Sequence, residues 1–68
     1  MKRYRLTAAE FGYEPEVLRE NLTLIDAWRL GRKNFDLTLE ESAQLLERGH
    51  TVHNDARHGL LSIFVDRH

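Results

Sequence analysis

The sequence predicts an α+β domain in which a small antiparallel sheet of two or three strands packs against two main helices. Short stretches near both ends of the chain alternate apolar and polar residues, which is the period of a strand. Two stretches between them repeat apolar residues three or four positions apart, which is the period of a helix. The chain has 68 residues, a length that predicts one domain over residues 1–68.

The first predicted element is a short strand over residues 2–6. Tyr4 and Leu6 alternate with Arg3 and Arg5 along it. Because successive side chains of a strand point to opposite faces, one face is apolar and the other is basic. We therefore expect the N-terminal strand to lie half-buried at the edge of the core.

A turn of helix is expected directly after this strand. Thr7 and Glu10 have the spacing of a capping box, in which a hydroxyl and a carboxylate three residues apart each bond the other's backbone amide. We expect the turn to cover residues 8–11 and to end at Gly12, because glycine readily adopts the left-handed conformation that closes a helix.

The longest predicted element is a helix over residues 15–30. Pro15 suits its first position, and Gly31 can end it. At 100° per residue, one stripe roughly 160° wide collects Val17, Leu18, Leu22, Leu24, Ile25 and Trp28. A stripe this broad predicts contacts with two neighbouring elements, and it places Trp28 in the core.

A second main helix is predicted over residues 39–48. Thr38 and Glu41 form another capping box, and Gly49 can close the helix. Apolar residues recur at positions 39, 43 and 46, the spacing of one helix face. Both main helices are expected on the same face of the sheet.

The C-terminal segment is predicted to end near residue 66 as a strand. Its apolar inner face is formed by Leu61, Ile63 and Val65. Residues 50–53 favour a partner strand, which would make a hairpin with a loop at 54–59. The alternative is a short helix over 52–58, capped by Thr51.

Composition and charge exclude several classes of protein. The net charge of −1 and the pI of about 6.4 differ from the strongly basic balance of general nucleic-acid coating proteins. The absence of cysteine excludes disulfides and cysteine-based zinc or iron–sulfur sites. No apolar run approaches the ~18 residues that span a bilayer, and no apolar segment of a signal peptide follows the basic N-terminus. We therefore expect a cytoplasmic protein without a membrane segment.

No motif for catalysis, a cofactor or a metal stands out. The chain lacks a cysteine nucleophile, a glycine-rich phosphate loop and a serine in a nucleophile-elbow context. His50, His53 and His58 lie close to Asp55 in the sequence, but their spacing suits a shared ion neither on a strand nor on a helix. The sequence therefore predicts a protein that is not an enzyme and binds no cofactor and no metal.

Six cations form a candidate site for an anion or a nucleic acid. They are Lys2, Arg3 and Arg5 on the first strand, and Arg29, Arg32 and Lys33 at the end of the long helix. If the two groups lie side by side, their charges would converge on phosphates or on an acidic protein. Otherwise they form a solvated strand face and neutralise the negative end of a helix.

Residues 38–60 support an alternative function, a small DNA-binding regulator of helix-turn-helix or winged-helix type. The segment from Leu37 resembles the first helix of many such units, and Thr51 could open the helix that enters the groove. The turn at 47–50 is longer than the usual one. The segment also carries more carboxylates than arginines, whereas a helix in the major groove requires the reverse.

The leading functional hypothesis is a non-catalytic protein-binding module, such as a small inhibitor, adaptor or accessory regulator. Its partner would be another protein, with a homodimer as a further option. Candidate partner-binding residues are Leu60, Phe64, Tyr13 and Phe35. Phe64 would lie on the outer face of the last strand if Leu61 and Ile63 face inward, and beside Leu60 it would form an exposed apolar patch.

Overall fold

The computed structural model of the chain describes residues 3–67, which form two helices packed on one face of a four-stranded antiparallel sheet. In chain order the elements are β1 (Tyr4–Glu10), β2 (Glu16–Leu22), α1 (Leu24–Phe35), α2 (Leu39–Arg48), β3 (His50–Asp55) and β4 (Gly59–Arg67). The strand order across the sheet is β2-β1-β4-β3, so β1 and β4 are central. The predicted α+β class is confirmed, but the sheet has four strands and not two or three.

The core lies between the sheet and the two helices. Its buried apolar side chains are Leu6, Ala27, Leu45, Leu61, Ile63 and Val65. The members from β1 and β4 share one face because side chains alternate along each strand and Leu6 lies directly opposite Val65. Trp28 packs against this cluster from α1, as the sequence predicts.

β1 is longer than predicted, and the expected turn of helix over 8–11 is wrong. Residues 7–10 continue the strand and pair in unbroken register with residues 61–64 of β4. In a central strand the neighbouring strands satisfy the backbone groups that a capping box would otherwise bond. Gly12 closes the β1–β2 hairpin instead, with a φ of 87°, and the amide of Tyr13 donates to the carbonyl of Glu10 over 3.0 Å.

The single helix predicted over 15–30 is also wrong, because its first half is the edge strand β2. The backbone of Asn21 has a φ of 61°, a left-handed conformation that no helix interior accepts. α1 begins only after Thr23, whose hydroxyl accepts a hydrogen bond from the amide of Asp26 over 3.1 Å. The apolar residues that share one stripe of a helix are thus divided between a strand and a helix.

α1 continues through Gly31, the glycine predicted from the sequence to end it. A Cβ atom at Gly31 would lie 3.0 Å from Cδ2 of Leu45 and 3.4 Å from Cδ1 of Leu6. The missing side chain therefore lets α1 approach α2 and β1 closely. The helix ends instead at Asp36, which adopts the left-handed conformation with a φ of 50°.

The second helix has the predicted bounds. The amide of Glu41 donates to Oγ1 of Thr38 over 3.1 Å, and the amide of Thr38 donates to Oε1 of Glu41 over 2.9 Å. This reciprocal pair is the predicted capping box. Gly49 caps the other end with a φ of 73°.

The C-terminal hairpin is confirmed, and the alternative helix over 52–58 is wrong. β3 and β4 pair continuously from His50 opposite Phe64 to Asp55 opposite Gly59. In the turn, Oδ1 of Asp55 accepts the amides of residues 57 and 58 over 2.7 and 3.0 Å. The first of these bonds is the main reason that the pKa of the Asp55 carboxyl lies below its ordinary value.

Candidate functional site

The two helices cover only one face of the sheet, and the opposite face is uncovered within residues 3–67. We call this second surface the open face. Its side chains alternate with those that point to the core, and the strand register identifies them. They are Arg5, Thr7, Ala9, Val17, His50, Val52, Asn54, Leu60, Ser62, Phe64 and Asp66.

Three adjacent rows of the open face contain no Asp, Glu, Lys or Arg. The rows run across the strands as Val17–Thr7–Phe64–His50, then Ala9–Ser62–Val52, and then Leu60–Asn54. Phe64 lies in the middle of the first row, and its ring stacks on that of His50 with the centroids 4.6 Å apart. The centre of the open face is therefore uncharged and partly aromatic.

Three aliphatic side chains of the open face are exposed to solvent. The exposed fraction is 43% for Val17, 46% for Val52 and 54% for Leu60. An antiparallel sheet face that meets water usually carries polar residues. An exposed apolar surface with little charge is instead typical of the central part of a protein–protein interface.

The charges of the open face are confined to one end. Arg5 on β1 lies directly opposite Asp66 on β4, and both border a groove of about 380 Å³. Thr7, Pro15, Val17 and Phe64 complete the lining of the groove. Thr7 is only 7% exposed, yet neither its Oγ1 nor the Nε of Arg5 has a hydrogen-bond partner. Such unsatisfied buried atoms are unusual in a folded domain.

The structure divides the four sequence-predicted partner-binding residues between two places. Leu60 and Phe64 lie on the open face. Tyr13 and Phe35 instead line a cleft of about 470 Å³ on the helix side, where Leu61 also contributes. The cleft is bordered by Glu10, Glu14, Glu16 and His58. Within it, Nδ1 of His58 lies 2.6 Å from Oε1 of Glu10.

The candidate cations are not gathered into one patch. Arg5 points away from the helices because it neighbours the core residue Leu6 along β1. The helical cations Arg29, Arg32 and Lys33 are on α1, across the sheet. The Arg32 guanidinium lies 4.9 Å from the ring centroid of Trp28. Arg3 is exposed just before β1, and Lys2 lies outside the described residues.

The histidines are dispersed as well. His50 stacks on Phe64, His53 bonds Glu41 through Nδ1 over 2.9 Å, and His58 faces Glu10. In the described part of the chain no three metal-ligating side chains come together. In the alternative function, Thr51 opens the helix that enters the DNA groove. In the structure this residue belongs to the strand β3.

Sequence reasoning missed much of the open face. The sequence pattern predicts a helix at Val17 and a capped turn at Thr7 and Ala9, so it does not place these residues on a sheet. The alternation of residues 50–55 opposite residues 59–66 was the available signal, because a hairpin with this register puts Val52 and Phe64 on the same face.

No family model, curated protein or solved structure that was compared with the chain matches it. Among residues 3–67, neither helix is long and apolar enough to cross a membrane.

Proposed function

We propose that this domain is a non-catalytic protein-binding module that binds its partner on the open face. The observation that supports it is the set of three adjacent rows without charged residues around Phe64. The centres of protein interfaces are depleted in charge and enriched in aromatic residues. The open face has both properties, whereas 31% of the whole chain is charged.

The energetics favour a protein over water on this face. Val17, Val52 and Leu60 each expose about half of their surface. Removing apolar area from water contributes about 25 cal/mol per Å², so covering these side chains favours association. A nucleic acid would require several cations near its phosphates, and the three rows provide none.

A photoreactive residue in the open face tests the proposal. Val52→benzoylphenylalanine places the probe on a side chain that is 46% exposed, in the middle row. Leu39→benzoylphenylalanine is the matched control, because Leu39 is 85% exposed and belongs to α2 on the other side of the sheet. Irradiation in living cells should give discrete protein adducts from position 52 and none from position 39.

Three outcomes would overturn the proposal. Equal adducts from both positions would mean that the open face has no selectivity, and no adducts from position 52 would mean that it is not occupied. Adducts that disappear on nuclease treatment would indicate DNA binding. In that case Arg3→Glu with Arg5→Glu should abolish binding, and affinity should fall steeply with salt.

A further inference from the structure

The partner on the open face can be specified further. We infer that it is a second copy of this chain, bound open face against open face about a twofold axis that runs along the strands. The inference rests on the proposed function, since it names the occupant of the same surface. A twofold axis requires a surface that is complementary to itself.

The charged end of the open face provides that complementarity. Arg5 is on β1 and Asp66 is the residue opposite it on β4, the two central strands. Rotation about an axis along the strands places β1 of one protomer over β4 of the other. Arg5 then faces the partner's Asp66, and Asp66 faces the partner's Arg5. The guanidinium group of Arg5 thereby gains a carboxylate from the other protomer.

The same charges disfavour the other twofold arrangement. An axis across the strands would superpose opposite ends of the two faces. Arg5 and Asp66 would then lie near the row of Leu60 and Asn54, which offers no opposite charge. This arrangement would bury the pair against apolar side chains without any charge from the partner, whereas the axis along the strands adds two ion pairs between the protomers.

The shape of the open face agrees with this axis. With β4 of one protomer over β1 of the other, Phe64 lies over the partner's Thr7. Thr7 borders the groove of about 380 Å³, whose other walls include Pro15 and Val17. Phe64 also lines the groove of its own protomer, so each ring would pack over the groove of the other protomer beside that protomer's Phe64. Two such sheets would pack in the aligned manner, with strands about 30° apart.

The surface area of the chain also agrees with a missing partner. Its accessible surface is 5007 Å², whereas a monomer of 8.0 kDa typically exposes about 4,450 Å². The open face is about 19 Å wide and about 20 Å long, as four strands and six residue steps give. Two such faces bury on the order of 1,000 Å², the low end of specific interfaces, where weak and transient complexes are found, so we expect a weak dimer.

Charge reversal distinguishes this dimer from any other. We would measure sedimentation velocity over a wide range of concentrations, from about 1 to about 300 µM, because a small interface gives a weak dimer. The wild-type chain should change from monomer to dimer in this range. Arg5→Asp should weaken the dimer at least tenfold because two carboxylates then face each other, and Asp66→Arg should do so because two guanidinium groups face each other.

Mixing the two variants is the decisive step. In an equimolar mixture, the new aspartate faces the new arginine across the axis, and the unchanged Arg5 faces the unchanged Asp66. The mixture should therefore dimerise at lower concentration than either variant does alone. Arg57→Asp and Glu47→Arg are the matched controls, since they change the net charge equally at exposed sites off the open face. Both controls should dimerise like the wild type, and circular dichroism should show that every variant is folded.

A wild-type chain that stays monomeric at 300 µM overturns the inference, and so does a mixture that stays monomeric while both variants are folded. The proposed function fails separately. A monomer that still gives adducts of a different protein from position 52 keeps the binding module and removes the second copy. A monomer without adducts removes both.

Discussion

At the scale of single residues, Trp28 is the side chain that connects the two helices. Its indole Nε1 donates to the backbone carbonyl of Ser42 on α2 over 2.8 Å, and its ring packs against the core. Arg32 covers the ring from the solvent side of α1. Trp28 thus contributes apolar burial, one hydrogen bond and a cation–π contact at one position.

Trp28→Phe isolates the hydrogen bond. Phenylalanine keeps most of the ring but has no N–H, so the carbonyl of Ser42 loses this donor. We expect the free energy of unfolding to fall by about 1–2 kcal/mol, as measured by urea denaturation. Phe11→Leu is the control, because Phe11 is 89% exposed and its replacement should change stability by less than about 0.5 kcal/mol. Equal stability of Trp28→Phe and the wild type would mean that the bond contributes nothing.

Single-residue predictions from sequence succeed where the immediate neighbours decide the outcome. Alternation along β4 is enough to place Phe64 on the face away from the core, because its neighbour Ile63 points into the core. It does not reveal that His50 stacks on Phe64, because that contact depends on the register between two strands. For Thr7 the immediate neighbours mislead. They predict a helix cap, whereas Thr7 is buried in a central strand.

At the scale of elements, local signals locate α2 and mislead over β2. The capping box and Gly49 lie within the chain segment that they terminate, so the bounds of α2 follow from sequence. The bounds of β2 depend on pairing with β1, from Ala8 opposite Glu16 to Tyr4 opposite Leu22. Helical periodicity cannot report such pairing. The cap at Thr23 was the local signal that could have moved the start of α1.

The contact between α2 and β3 predicts a pH dependence of stability. Burial by itself raises the pKa of Glu41. The hydrogen bond from the Thr38 amide, the hydrogen bond and charge of His53, and the Thr38 hydroxyl together hold that pKa below its ordinary value. A carboxyl with a lowered folded-state pKa stabilises the fold fully above its unfolded pKa of about 4.3. That contribution is lost as the pH falls through the lower, folded-state pKa.

Glu41→Gln removes the charge and keeps the shape. We expect it to lower the free energy of unfolding by about 1 kcal/mol at pH 7, where Glu41 is ionised. The difference between variant and wild type should shrink as the pH falls below about 4.3, since the contribution of the charge is lost as the pH falls through the lowered folded-state pKa. Urea denaturation across this range gives the comparison. A difference that is constant with pH would show that geometry, and not charge, accounts for the effect.

At the scale of the whole molecule, the helices form one layer and the sheet the other, so one of the two faces of the sheet is uncovered. Among residues 3–67, six apolar side chains are buried, whereas nine large apolar ones are exposed. The length of the sequence predicts a small core, because a chain of 68 residues typically buries only about 60% of its surface. It does not show which face stays open, since that depends on the position of β2 and on both helices packing on one side.

Thermal unfolding should report whether a second copy covers that face. If the folded chain dimerises and the unfolded chain does not, mass action stabilises the fold more at higher concentration. For a domain of this size we expect Tm to rise by about 3–5 °C for each tenfold increase in concentration above the Kd. Circular dichroism at 10, 100 and 300 µM measures it.

Phe64→Asp supplies the comparison for this experiment, because it places a carboxylate in the middle of the uncharged rows. The variant should have the same Tm at all three concentrations. Its new carboxylate would be buried without a partner in the dimer, so the variant should stay monomeric. Leu39→Asp, on the opposite side of the sheet, should keep the wild-type dependence. A Tm that does not vary with concentration in the wild-type chain would mean that folding is complete within one protomer and that the open face meets water in the free protein.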